Sequence, residues 1–300
     1  MQGARTRAIG TAERSGVLQP QNLERFRAQW IPPAEDVRDV VDTYWAVTWR
    51  LEPGESIDQR IIDHPSITLS IERGDVFAPL VVTSARSTAW TRTISGVGGV
   101  FAIRLRPAGL AVVSDLAAWS LPHEREVTAD LDGRCHRLLE QIAATPGPTA
   151  RAEAADALVR ELRAERPLAP SQRLANAGLD AIAARPHVRR TSDVADALGV
   201  GVRTLQRALH AHVGRGPSEI ARRVRLQEVV RRLSTEHGSL ADIAVELGYV
   251  DQAHLTNDFR AVAGVTPGAY LRTQAQAQAA LAVGSGGDAH AARTEGMPHA

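Results

Sequence analysis

Lysine is absent from this 300-residue chain, so all 35 of its basic residues are arginine. Arginine's fixed donor fork suits phosphates and guanine edges. A GC-rich genome favouring Arg codons produces the same bias, and that is the preferred explanation for the bias as a whole. Cysteine is nearly absent too: Cys135 alone leaves no disulfide framework and no multi-Cys zinc site. No apolar run approaches the roughly 18–20 residues of a membrane span. The opening stretch MQGARTRAIGTAERSG carries basic residues but no apolar signal region. Together these absences predict a cytoplasmic chain with no membrane partner.

What is present suits two domains, given the length. The net charge of +1 hides an asymmetry. Residues 181–273 carry 13 Arg against 9 acidic residues, whereas residues 1–180 carry 21 against 23. The later segment is thus the basic one, as phosphate contact requires.

Residues 1–30 lack sustained periodicity and read as a flexible arm. Between Asp42 and Leu105, YWAVTWRL, SITLSIE, LVVTS and VFAIRLR cluster β-branched and aromatic residues between Gly and Pro breaks. That spacing predicts short, mostly antiparallel strands. Residues 31–133 therefore read as a β-rich domain and 134–172 as a helical connector. Residues 173–273 form an all-helical domain, and 274–300 a low-complexity, disordered tail. The predicted class is α+β with two domains, mostly β first and all-α second.

The all-α segment contains one pattern twice. Val194-Ala195 and Leu198-Gly199 recur as Ile243-Ala244 and Leu247-Gly248. Leu205, Leu209, Gly214 and Pro217 recur as Leu255, Phe259, Gly264 and Pro267. Each copy reads as helix, Gly turn, helix, with a connecting helix, GPSEIARRVRLQEVVRRLS, between the copies. The second helices are predicted over about 202–212 and 251–262. Their inner faces hold Leu205, Leu209, Leu255 and Phe259, which turns other positions outward. The outward set is Arg203, Thr204, Gln206 and Arg207 on the first, and Gln252, Ala253, His254, Thr256, Asn257 and Arg260 on the second. Arg, Gln and Asn are the residue types that read base edges. The predicted partner is double-stranded DNA. Arg222, Arg223, Arg225, Arg231 and Arg232 on the connector read equally well as phosphate contacts or as a solvated face.

These linked patterns, LGVGVRTLQRALHAHVGRGP, RVRLQEVVRRL and IAVELGYVDQAHLTNDFRAVAGVTPGAYLR, resemble the AraC/XylS-type DNA-binding domain over roughly residues 173–272. The resemblance implies a transcription regulator that puts Arg203, Gln206 and Arg207 in one groove segment and Ala253, His254 and Asn257 in the next. It implies RNA polymerase, contacted or excluded, as a partner. Gly201 and Val250 stand where the family usually has Ser, and Asn257 where Arg is common. The first copy is accordingly expected to supply most of the sequence choice. The stretch from Tyr44 to Leu131 resembles an uncharacterised regulatory domain often fused to AraC-type domains, on YWAV, Asp63-His64-Pro65 and GVFAIRLRPAGLAVVSDL.

Other chemistry is thinly represented. Trp45, Trp49, Trp90, Phe101, Arg104 and Arg106 would suit a pocket for an anionic small-molecule effector, although aromatics in a core and Arg at the surface explain them more simply. His64, His123 and His136 lie too far apart for a metal site. Cys135 beside His136 has no oxyanion motif, so no catalytic residue, cofactor or metal is expected. The alternative reading, a DNA-modifying or repair enzyme with an AraC-type appendage, needs a reactive Cys. A purely structural nucleic-acid binder would lack sequence preference. CHRLLEQI and ALVRELRAE have amphipathic spacing that leaves a homodimer open, though their shortness favours packing onto the domains.

Overall fold

A computed structural model of the chain describes residues 16–235, 239–276 and 279. Its first part is antiparallel β structure made of β1 (Phe26–Ile31), β2 (Val41–Arg50), β3 (Ser56–Ile61), β4 (Thr68–Arg73), β5 (Leu80–Thr83), β6 (Trp90–Ser95) and β7 (Val97–Leu105). Helix α1 (Leu110–Val113) and strand β8 (Glu124–Glu126) follow. Six strands form one sheet in the order β1-β2-β7-β4-β5-β8, and β3 pairs with β6 as a separate ribbon.

Strand β2 shows why the sheet takes two coverings. Successive side chains point to opposite faces. Tyr44 and Ala46 enter a core with Leu69, Phe101 and Ile103. Val47 and Trp49, on the other face, pack with Phe26, Ile57 and Ile94 toward the ribbon.

The first face is closed by α2 (Gly133–Ala143) and α3 (Pro148–Glu165). Asp132 caps α2 by accepting from the Arg134 and Cys135 amides. Leu138, Leu139, Ile142, Ala155 and Val159 share one core with the strands. The segment expected as a connector is therefore largely part of the first domain. Its apolar residues pack into that core together with the sheet.

The expected arm over 1–30 is also corrected. Residues 1–15 lie outside the described residues. Val17, Leu18, Leu23, Phe26 and Ala28 are buried, and β1 pairs with β2 from Phe26↔Trp49 to Ile31↔Tyr44. The run is too short and irregular to show a period, and its order comes from β2, which lies later in the chain.

The helical part comprises α4 (Pro170–Ala183), α5 (Thr191–Ala197), α6 (Val202–Val213), α7 (Pro217–Thr235), α8 (Leu240–Glu246) and α9 (Gln252–Ala263). Residues 267–276 are helical again, and Gln274 within them is buried. That corrects the start of the expected tail; residues 277–300 lie outside the described residues, 279 excepted. Leu179, Val194, Ala195, Leu205, Leu209 and Ile220 make the core of the first helix-turn-helix unit. The core of the second holds Val230, Ile243, Ala244, Leu255 and Phe259.

The second core also takes in Leu18, Ile62 and Ala89 from the β domain. Polar contacts cross the same seam. Arg106 grips Asp180 through two nitrogens at 2.6 and 2.7 Å. Asn176 accepts from the Ala108 amide and donates to the Asp39 carbonyl. Gln227 donates to the Ile62 carbonyl at 3.0 Å, and the Tyr270 hydroxyl to that of Val17 at 3.2 Å.

Candidate nucleic-acid interface

Each unit places its second helix by a buried apolar pair and a Gly turn. Leu205 and Leu209 on α6, and Leu255 and Phe259 on α9, have no solvent exposure. Ala195 and Ala244, equally buried, share the same two cores. Gly199 and Gly248 take φ of +65° and +74°, a left-handed turn that other residues adopt at a cost.

The two helices start differently. Gly201 precedes α6 in extended conformation with no side-chain cap. Asp251 caps α9 by accepting from the His254 amide at 2.7 Å. Ser239 caps α8, accepting from the Asp242 amide, whereas Arg190 gives α5 no side-chain cap. The second unit is the better capped, as its sequence suggests.

With the inner faces buried, Arg203, Thr204, Gln206 and Arg207 are all exposed on α6. On α9, Gln252, Ala253, His254, Asn257 and Arg260 are exposed, and Thr256 is half-buried. The side chains of Arg203, Arg207, Asn257 and Arg260 make no hydrogen bond or ion pair among the described residues. His254 is the partly engaged member: its ring stands edge-on to Tyr249, with centroids 5.2 Å apart.

The connector's arginines are mostly spoken for. Arg222 donates to Asp258 of α9 at 2.5 Å. Arg225 reaches the Pro186 and Val188 carbonyls and lies over the Tyr249 ring, 5.3 Å from its centroid. Arg231 and Arg232 pair with Glu228, and Arg232 also with Glu246. Arg223 is buried at the seam, donating to the carbonyls of Asp63, Arg86 and Thr88. Neither the phosphate role nor the solvated face holds for it. For Arg231 and Arg232 the sequence did hold a signal, since Glu228 lies three and four residues before them.

One set of residues went unnoticed in the sequence. The Tyr249 hydroxyl donates to Asp258 at 2.9 Å, on the oxygen that Arg222 leaves free. Burial and the Asp258 carboxylate push the Tyr249 phenol above its ordinary range. This cluster fastens α9 to α7 and to the turn before α9.

The β domain meets both second helices at their C-terminal ends. The Ala89 amide donates to the Val262 carbonyl at 2.8 Å. At the end of α6, a Cβ on Gly214 would lie 2.6 Å from the Ala118 carbonyl oxygen. At the opposite ends, Arg203 and Thr204 of α6 and Gln252, Ala253 and His254 of α9 are exposed.

The proposed effector pocket does not assemble from the residues expected to line it. Phe101 pairs with Ala46 and stacks on Tyr44, in the core beneath the helices. Trp45 and Trp49 alternate onto the opposite face of β2. Trp49 is buried there and donates to the Ser95 carbonyl at 3.0 Å. Trp90 is half-buried beneath Arg92, Arg104 pairs with Asp42 at 2.5 Å, and Arg106 is held by Asp180. Alternation along a strand separates these residues in a way that composition does not reveal. Cys135 is fully buried, and burial pushes its thiol up to about 12, which suppresses the thiolate that a nucleophile needs.

Comparison with known proteins gives the fold its context. Residues 194–273 match the family described as a helix-turn-helix domain. Over 81 residues the chain is 37% identical to a protein described as an AraC-like transcription regulator from Streptomyces lividans, covering 27% of each chain. It is also 37% identical over 82 residues to the HTH-type transcriptional activator RhaS of Pectobacterium carotovorum, covering 27% of this chain and 29% of that one. The C-terminal segment is an AraC-type helix-turn-helix domain. The chain spans under a third of the length of these curated relatives. Residues 29–125 match a domain of unknown function (DUF6597). ToxT from Vibrio cholerae is 10% identical, with 77% of this chain and 98% of that one covered at a TM-score of 0.41. Among the described residues no helix is long and apolar enough to cross a membrane.

Proposed function

We propose that the whole chain is a sequence-specific transcription regulator that reads two successive segments of DNA major groove. One observation supports this reading above the rest: two like-built helices present exposed Arg, Gln and Asn side chains that make no hydrogen bond or ion pair among the described residues, on a domain of AraC type. Arg203, Gln206 and Arg207 read the first segment, with Thr204 at its edge. Gln252, Ala253, His254, Thr256 and Asn257 face the second, and Arg260 contacts phosphate. Helix α7, with 19 residues, is about 28 Å long at 1.5 Å per residue. That length, with some offset within each unit, suits grooves one turn of about 34 Å apart.

The β domain is the regulatory part in this reading. It touches the C-terminal end of each reading helix and the middle of the helix between them. A small molecule that shifted this seam would alter both prongs together, and binding would then recruit RNA polymerase or exclude it.

Selection of duplexes from a random pool by the full chain tests the reading. It should enrich a bipartite site with half-sites about one helical turn apart. Recovery of unenriched DNA would refute sequence-specific reading and leave a non-specific binder.

A further inference from the structure

The loop between α4 and α5 joins the two halves of the DNA-binding domain. It belongs by sequence to the first unit, running directly into the N-terminus of α5 at Thr191. By contact it belongs to the second. A Cβ on Gly248, in the turn that leads into α9, would lie 2.8 Å from the His187 carbonyl oxygen and 3.5 Å from the Arg189 side chain. Arg225 of α7 holds the loop through the Pro186 and Val188 carbonyls, at 3.2 and 3.4 Å. The same guanidinium lies over Tyr249, which is bonded to Asp258 of α9. A single chain of contacts thus runs from the loop to the second reading helix.

The loop's side chains are one-signed. Arg185, His187, Arg189 and Arg190 are all exposed, and none of their side chains makes a hydrogen bond or ion pair among the described residues. Residues 185–190 contain no acidic residue. This contrasts with α7, whose Arg222, Arg223, Arg225, Arg231 and Arg232 are all bonded within the protein. Four unpaired cationic or protonatable groups on a loop pinned by its carbonyls make a surface with spare charge and little freedom to lose on binding. A polyanion matches it, and the polyanion that reaches the adjoining turn before α9 is DNA.

We propose that residues 185–190 form a phosphate clip that grips the DNA backbone between the two reading helices, with Arg189 and Arg190 as its ligating cations and Arg225 as its anchor. The clip rests on the DNA-binding reading above and adds a third contact that carries register but no base choice. Because the loop is tied to both units, a phosphate held there fixes the two prongs relative to one backbone segment.

The test is the salt dependence of binding by the full chain. Affinity is measured from about 50 to 200 mM salt on a duplex selected by the wild-type chain and on a random-sequence duplex. Each phosphate contact contributes about 0.9 to the slope of log K against log salt. Arg189→Gln combined with Arg190→Gln should make the slope shallower by about 1.8 and weaken both duplexes by the same factor. The selected sequence should not change. Arg189→Lys with Arg190→Lys should keep the wild-type slope, because a phosphate needs the charge more than the fork. An unchanged slope in the double Gln variant overturns the clip while wild-type binding stands. A changed base preference overturns its assignment to the backbone. A wild-type chain with no salt-dependent affinity for either duplex overturns the DNA-binding reading itself.

Discussion

Arg223 and Asp63 meet across the seam between the two domains. The Arg223 Nε donates to the Asp63 backbone carbonyl at 2.8 Å, and the guanidinium pairs with the Asp63 carboxylate. The two residues lie 160 positions apart in the chain. The other guanidinium nitrogens donate to the Arg86 and Thr88 carbonyls at 2.7 and 3.3 Å. One side chain thus ties the helix between the two prongs to two loops of the β domain.

Truncating Arg223 leaves a half-buried carboxylate and three carbonyls without that partner. Breaking a buried pair from one side costs about 3–5 kcal/mol. Arg223→Ala should therefore lower the urea midpoint of the full chain sharply, and Arg223→Lys should recover only part of it because an ammonium cannot fork to spread carbonyls. A midpoint within error of the wild type for Arg223→Ala would show that the seam does not depend on this residue.

The two turn glycines should respond unequally to alanine. Both have positive φ, so each substitution carries left-handed strain of about 1 kcal/mol. Around Gly199 there is open space, whereas at Gly248 the new Cβ would also press on the His187 carbonyl. Thermal unfolding should rank Gly248→Ala as clearly the more damaging. Equal losses would mean that the loop yields freely, and would loosen the proposed clip as well.

His64 should make the protein sensitive to mild acid. Burial, with Arg104 and then Arg106 opposing the partial compensation from Asp42, holds its imidazole down at about 3. Its Nδ1 is buried without a hydrogen-bond partner. An unfolded His takes its proton near 6.5, so between these values the unfolded state binds more protons. Stability from this group is complete above about pH 6.5 and drains as pH falls toward 3. The loss should reach about 2 kcal/mol by pH 5, at 1.36 kcal/mol per unit. Denaturation from pH 7.5 to 4.5 should show a steeper decline in the wild type than in His64→Gln; parallel curves would refute it.

The reading faces should be unequal too. Arg207 is exposed and unpaired on a helix that offers Arg, Gln and Arg, while Asn257 shares its face with Ala253 and a His254 ring already packed on Tyr249. Arg207→Ala should cost about 1–3 kcal/mol of discrimination at one base pair. Asn257→Ala should cost less. Equal broadening of the selected site by the two variants would contradict the ranking.

The doubled helix-turn-helix was legible because its signals are local. A buried residue every three or four positions, a Gly at each turn and Ser239 or Asp251 at a helix start are written within a dozen residues. Helices α6 and α9 consequently end within a residue or so of their predicted bounds. The effector pocket failed for the opposite reason. Placing Phe101 beside Trp49 or Trp45 requires knowing strand register, and the register of β2 on β7 puts Phe101 on the far face from both.

Periodicity and capping act over one or two turns, so the local pattern alone fixes which faces of these helices are buried, where they begin and which side chains stay exposed. Only the tertiary structure decided what covers each buried face and which charges are neutralised. Residues 16–31 pair with or pack on the sheet, α2 and α3 joined the β-domain core, and α7's arginines found partners within the protein while the side chains of the 185–190 loop arginines did not. Arg223 and Arg189 look alike in the sequence; partners from distant segments, which no local pattern records, make one a structural tie and leave the other available to a phosphate.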